Sequence, residues 1–210
     1  MNEYGHEEVR GLPGRLPPGE TLLWQGSPDW RRLARDAFHT YLVAAYFGVL
    51  LVWAVIDAVS PGGAASPIGI AATGAVAVAG LGLLYGLAWL SARTTVYSIT
   101  SKRVVLRFGI ALPKCVNLPF AQVGDARLAV NKDGTGDIAL AMTAKVLGYA
   151  ALWPHARPWQ LAKPEPMMRA LPDVASVAAL LADACAKAVP GGRRLAVTED
   201  VADFGPAVAA

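Results

Sequence analysis

Charge is scarce in this chain. Only 17% of its 210 residues are Asp, Glu, Lys or Arg, against about 25% in ordinary soluble domains. The formal net charge of +3 is too small and too scattered for a nucleic-acid surface. Cysteine is almost missing. Cys115 and Cys185 lie far apart, with no spacing for a zinc site, a redox pair or haem attachment, and read as reduced core thiols. An apolar run near Met1 is lacking as well, so no secretory signal is expected and the first apolar segment stays as an anchor. The familiar catalytic strings are absent: no Gly-x-Ser-x-Gly, no His-Glu-x-x-His, no Gly-Lys-Ser/Thr after a glycine loop. Nothing pairs a nucleophile with a base, and the expectation is a protein that is not an enzyme.

What is present in excess is apolar residues, at 54%, and they concentrate between Tyr41 and Leu90. Tyr41–Val59 and Ile68–Leu90 are each long enough, at ~1.5 Å per helical residue, to cross the ~30 Å hydrocarbon layer. Ser60-Pro-Gly-Gly-Ala-Ala-Ser-Pro67 between them is turn chemistry. Arg31, Arg32 and Arg35 precede the first span, and Arg93, Lys102, Arg103 and Arg107 follow the second, while the loop is uncharged. The positive-inside rule then places both termini in the cytoplasm, with Tyr41, Tyr46, Tyr85 and Trp89 as an aromatic belt. The expected protein is multi-pass, with a short exterior turn between its spans.

Within the spans, Gly82 and Gly86 make a Gly-x-x-x-Gly step, and Ala71, Ala75 and Ala79 repeat at the same spacing. Such small residues let helices approach closely, either within the hairpin or toward another membrane helix. Asp57 is the one acidic residue in either span. Its place one turn from Ser60-Pro61 favours a structural role over ion transport. His39, just ahead of the first span, is the candidate pigment ligand, although a lone interfacial histidine is the plainer reading.

Beyond the spans the pattern changes to period two. Thr94–Thr100 and the alternating Val104, Leu106, Phe108 and Ile110 predict strands, as do Val116, Leu118 and Phe120, with Pro119 at an edge. Gln122–Val130 and Ile138–Met142 follow, joined by Asn131–Asp137. Asn131, Asp133, Thr135 and Asp137 fall at calcium-ligand positions, but Met142 stands where the closing glutamate belongs, so the Asp-Gly turn reads as a hairpin and no metal is expected. Asp173 caps a helix bearing Val174, Val177, Leu181 and Ala188 on one face, ended by Pro190-Gly-Gly. Leu16–Trp24 is a candidate first strand of the same domain.

The expected organisation is a flexible N-terminus at 1–15, a cytoplasmic segment at 16–35, a transmembrane hairpin at 36–92, a β-rich domain at 93–189 and a disordered tail at 190–210. Trp153-Pro-His-Ala-Arg-Pro-Trp159 is stiffened by proline and rich in the residue types of binding hot spots. Trp153, His155, Arg157 and Trp159 are therefore candidate partner contacts, with coverage of a sheet edge as the alternative. Arg93, Lys102, Arg103 and Arg107 are candidate contacts to anionic lipid.

Several stretches together resemble one family. They are Leu16-Pro-Pro-Gly-Glu-Thr-Leu-Leu-Trp-Gln-Gly-Ser-Pro-Asp-Trp30, Ala37-Phe-His39, Tyr97-Ser-Ile-Thr-Ser-Lys-Arg-Val-Val-Leu-Arg-Phe-Gly-Ile-Ala111 and Asn117-Leu-Pro-Phe120. Asp133-Gly-Thr-Gly-Asp137, Leu152-Trp-Pro-His-Ala-Arg-Pro-Trp159 and Pro166-Met-Met-Arg169 complete the set. In order, over roughly Leu16 to Val189, these resemble the photosynthetic complex assembly protein PuhB family. Tyr-x-Ile-Thr-x-x-Arg-Val alone looks like the wider pleckstrin-homology-like bacterial membrane family. The resemblance implies an α+β membrane protein: a two-helix hairpin plus an antiparallel sheet or open barrel capped by one C-terminal helix. It further implies a non-enzymatic assembly factor for the reaction centre and light-harvesting complex 1, located in a bacterial inner, intracytoplasmic membrane. Its partners would be their subunits or other assembly factors, with self-association as a homodimer. The resemblance transfers no catalytic residues and no cofactor; contact with bacteriochlorophyll would fall to His39. The alternative is a membrane-anchored adaptor that binds anionic headgroups or a small ligand.

Overall fold

The computed structural model describes residues 11–12, 14–144, 147–188 and 197–199. The chain forms two compact units, Trp30–Leu90 on its own and Met1–Asp29 together with Ser91–Ala210.

The first of these is helical. Helix α1 (Trp30–Asp36) carries an Arg32–Asp36 ion pair at 2.8 Å. Helices α2 (Thr40–Val59) and α3 (Pro67–Thr94) are both long and apolar enough to cross a membrane. A soluble protein would bury such helices, yet Val49, Trp53 and Val78 are each well over half exposed. The turn between the helices is held by Asp57. Its carboxylate accepts from the backbone N–H groups of Ala64 and Ala65 at 2.9 and 2.8 Å. Asp57 thus serves the turn, as its nearness to Ser60-Pro61 predicts. Gly63 belongs there for steric reasons, because a Cβ would lie 1.7 Å from the Asp57 carbonyl oxygen.

The second unit is built on strands. Strand β1 (Leu22–Gly26) pairs antiparallel with β2 (Val96–Thr100), so the first strand of this unit precedes the helical segment in sequence. Strands β3 (Arg103–Phe108) and β4 (Lys114–Pro119) complete a four-stranded sheet in the order β1-β2-β3-β4. The second sheet runs β7-β6-β5-β8, from β5 (Val123–Val130), β6 (Gly136–Met142), β7 (Met167–Leu171) and β8 (Val197–Glu199). Pro119 closes the edge strand β4, where its missing N–H is harmless. Phe120 leaves the strand expected for it and starts a 3-10 turn, Phe120–Gln122, that turns the chain into the second sheet.

The two sheets and helix α5 (Val174–Ala188) enclose one apolar core that includes Tyr97, Leu106, Leu118, Leu140, Met168 and Leu181. Asp173 caps α5 through the Ser176 backbone and hydroxyl. The helix buries Val174, Val177, Ala178, Leu181, Ala184 and Cys185 on one face. Burial pushes the Cys185 thiol up to about 12, which keeps it protonated and inert.

Two expectations need correction. Gly11 and Leu12 are not loose: Leu12 is buried, and a Cβ on Gly11 would meet Val96 at 2.5 Å. Residues 197–199 of the expected tail, Val-Thr-Glu, form β8, paired parallel with β5, where the ladder supplies partners for their backbone groups. The other residues of 1–10 and 190–210 lie outside the described residues.

Candidate interaction site

The stretch Trp153–Trp159 folds as one arm of a small lobe. Helix α4 (Tyr149–Leu152) delivers the chain to it, and the Trp153–Pro154 peptide is cis. Ala156 bridges Pro166, Arg157 N–H donates to the Glu165 carbonyl at 2.9 Å, and Met167 N–H donates to the His155 carbonyl at 2.8 Å. The returning arm continues directly into β7. The lobe is therefore an extension of the second sheet, with a root at His155 and Met167 and a tip between Pro158 and Pro164.

The root is polar and buried. His155 is 0% exposed. Its Nδ1 lies 2.9 Å from the Tyr97 hydroxyl and its Nε2 lies 3.1 Å from the Thr95 hydroxyl. The neighbours fix the tautomer. Thr95 already donates to the Ser91 carbonyl at 2.7 Å, so its oxygen accepts from Nε2–H. Tyr97 then donates to Nδ1, while its oxygen accepts the Arg169 backbone N–H at 3.1 Å. The imidazole is neutral. Burial, helped by the nearby Arg169 guanidinium, lowers its pKa to about 3. Burial likewise raises the Tyr97 phenol.

Arg169 extends this network. Its guanidinium donates to the Pro154 carbonyl at 3.3 Å and stands 3.8 Å from the Asp137 carboxylate. Asp137 also accepts the Ala170 N–H at 2.7 Å. One chain of contacts thus joins β2, β6, β7 and the lobe. Arg157 is held at the surface of the root by Glu165, at 3.0 Å. Burial raises the Glu165 carboxyl, against a lowering by Arg127 and ahead of a further rise from Asp125.

The tip is the opposite. Trp153 is 49% exposed, Trp159 73% and Leu161 65%. Trp159 sits at a φ of 63°, a left-handed conformation rare for a bulky residue. The four candidates read from this stretch therefore divide. Trp153 and Trp159 are displayed, whereas His155 cannot touch a partner and Arg157 is engaged by Glu165. Leu161 was not singled out by sequence, and neither were Tyr97, Thr95 and Arg169 as partners of His155.

The remaining candidates are placed as follows. Gly82 and Gly86 do not pack inside the hairpin, since a Cβ on either would meet open space. Ala71, Ala75 and Ala79 are exposed too, while Ala77 and Ala88 are buried. His39 adopts a left-handed conformation at the start of α2, with its ring edge-on to Tyr41. Its Nδ1 is buried without a hydrogen bond to any described residue.

The four cations proposed for lipid do not form one patch. Arg103 is committed to Glu20 by two bonds, 2.8 and 3.2 Å, with the Glu20 side chain almost wholly buried. Lys102 lies in the β2–β3 turn, at the opposite end of the sheet from Arg107, which pairs with Val96. Arg93 lies in the last turn of α3.

The calcium-like run is a turn between β5 and β6. Asp133 accepts from the Thr135 N–H and hydroxyl, and Asp137 is turned away to Ala170. Among the described residues, no three His, Cys, Asp or Glu side chains gather as a metal site. A groove of about 490 Å³ beside α5 is lined by Leu23, Ser101, Ala179, Leu180, Asp183, Ala184 and Lys187, with neither histidine nor cysteine.

Comparison with known proteins agrees with this architecture. The bacterial PH domain family matches residues 33–184. An "uncharacterized 23.7 kDa protein in puhA 5′ region" of Rhodobacter capsulatus is 36% identical over 187 residues, which is 87% of each chain. No solved structure gives a significant match. A family match across most of the chain, with a relative of this identity and coverage, leaves one conclusion: the chain belongs to the bacterial PH domain family and is PuhB-like.

Proposed function

We propose that this protein is a non-enzymatic assembly factor that holds membrane subunits of the photosynthetic reaction centre and light-harvesting complex 1 while they come together. The observation that carries this reading is the lobe: exposed Trp153, Trp159 and Leu161 on a root fixed by buried hydrogen bonds. Rigid aromatic side chains bind with little loss of conformational entropy, and a preorganised display lowers the cost of association. The relative in the puhA 5′ region supports a link to a photosynthesis operon. The buried neutral histidine and the buried, protonated Cys185 thiol favour binding over catalysis.

In this reading α2 and α3 cross the inner membrane with both termini cytoplasmic, as the arginines flanking an uncharged turn favour. The exposed small-residue face of α3 suits a second copy or a subunit helix. The decisive test is deletion of the gene, with assembled reaction centre quantified by absorbance spectroscopy of the membranes. Loss of assembled complex is expected, and unchanged assembly would sink the proposal. Crosslinking in cells from position 159 then identifies the captured subunit.

A further inference from the structure

The turn Gly109–Pro113 joins β3 to β4 and has no role in the lobe. It is apolar and outward. Ile110 is 45% exposed and Leu112 78%, with Ala111 and Pro113 exposed beside them. Its shape is fixed by glycine. Gly109 has a φ of +123°, and a Cβ there would lie 2.3 Å from the Leu112 carbonyl oxygen. Cations flank it on both strands, Arg107 on β3 and Lys114 on β4, where Lys114 pairs with Phe108.

Strand register locates this turn. Gly26 pairs with Tyr97, Val96 with Arg107, and Phe108 with Lys114. All of these residues lie at one end of the sheet. It is the end at which β1 leaves toward Trp30 and β2 begins after α3. Lys102, in the β2–β3 turn, lies at the other end.

We propose that Gly109–Pro113 is a membrane wedge: Ile110 and Leu112 enter the interfacial layer of an anionic bilayer, and Lys114 contacts its headgroups. The proposal rests on α2 and α3 spanning that bilayer. Ile110 and Leu112 are aliphatic, with no Trp, Tyr or Arg anchor between them of the kind that dominates protein interfaces. They suit a lipid surface, where apolar insertion and basic flanks act together. Weak intrinsic affinity suffices, because a tethered site meets the membrane at a millimolar-order effective concentration. The wedge would give the β-rich unit a second point of attachment.

The test uses the full chain in vesicles of phosphatidylcholine, with or without phosphatidylglycerol. Cys115→Ser removes the half-buried thiol, and the remaining native thiol, Cys185, is buried. An environment-sensitive dye is placed through Leu112→Cys or, for comparison, through Lys102→Cys. The expected result is blue-shifted emission at position 112, quenched by lipid carrying a headgroup-proximal spin label, with neither effect at position 102. On anionic vesicles, Lys114→Gln is expected to lower the ratio of docked to undocked label about fivefold, the factor one surface cation contributes. Alkaline carbonate extraction separates the two readings. If the protein stays in the bilayer and both dyes are equally unquenched, the wedge is overturned and the spans stand. If the protein is extracted, the spans fall and the wedge falls with them. Shielding of position 112 by added membrane proteins, without lipid quenching, also overturns the wedge and assigns the turn to a protein partner.

Discussion

The root and the tip of the lobe lie a few residues apart and obey different physics. At the root, His155 is enclosed, both ring nitrogens are used, and every neighbour that it satisfies is itself buried. At the tip, Trp159 and Leu161 give most of their surface to solvent. The contrast shows why one hot-spot-like string need not be one binding site. Polar side chains in such a string can be the device that orients the apolar ones. Changes at the root should therefore cost stability, and changes at the tip should cost partners.

The largest stability effect is expected from Arg169→Met. It leaves the Asp137 carboxylate buried without its cation and removes the bond to Pro154. A broken buried pair costs about 3–5 kcal/mol. Urea unfolding of the full chain in nanodiscs, followed by near-UV circular dichroism, measures it. A loss below about 1 kcal/mol would mean the pair is solvated and the root is not buried as described.

His155→Phe comes next, at roughly 2–3 kcal/mol. An aromatic ring still fills the site, but the Tyr97 and Thr95 hydroxyls each lose a partner in the core. The same unfolding measurement should show the loss. If Trp159 crosslinking were lost while stability was unchanged, His155 would belong to the binding surface and the comparison would fail.

Acidification probes the same residue without mutation. The His155 pKa lies near 3 in the folded protein, below the ~6.5 of an unfolded histidine. Protons therefore prefer the unfolded state. Stability is full above about pH 6.5, declines as pH falls, and levels off near pH 3. From about pH 7 to about pH 5 this costs roughly 2 kcal/mol, at ~1.4 kcal/mol per unit below the unfolded value. Glu165 acts with the opposite sign, since burial raises its carboxyl and protonation relieves it. The difference between wild type and His155→Asn isolates the histidine term. A difference that does not vary with pH would contradict a neutral, buried ring.

Much of this architecture is legible in the sequence, and the illegible parts have physical reasons. The hairpin announces itself because an unbroken apolar run needs no long-range partner to be recognised. Asp173 and the apolar face of α5 are local signals of the same kind. Strand β7 is missed because Met167–Leu171 is buried on both faces, so it has no alternation to read. The root is missed for a different reason. Thr95, Tyr97, Asp137 and Arg169 come from three separate strands and a strand edge, and no spacing links them to His155. Of the candidate site, the aromatic content was visible and its direction was not. Trp153 and His155 are two residues apart, yet one is displayed and the other enclosed, because the chain turns between them, with His155 N–H donating to the Leu152 carbonyl at 2.8 Å.

The smallest stability effect, and the most informative functional one, is expected from Trp159→Ala. The side chain is 73% exposed, so truncation should change unfolding free energy by less than about 0.5 kcal/mol. An aromatic hot spot, by contrast, loses about 2 kcal/mol or more of binding on truncation, which is over tenfold in affinity. Pull-down of reaction-centre subunits by the tagged full chain should therefore fall at least about tenfold in Trp159→Ala, while the melting temperature stays near wild type. Retained capture would remove the tip from the binding surface and leave the exposed face of α3 as the site to test. A large loss of stability would show instead that Trp159 covers the sheet edge, and that root and tip are one structural unit.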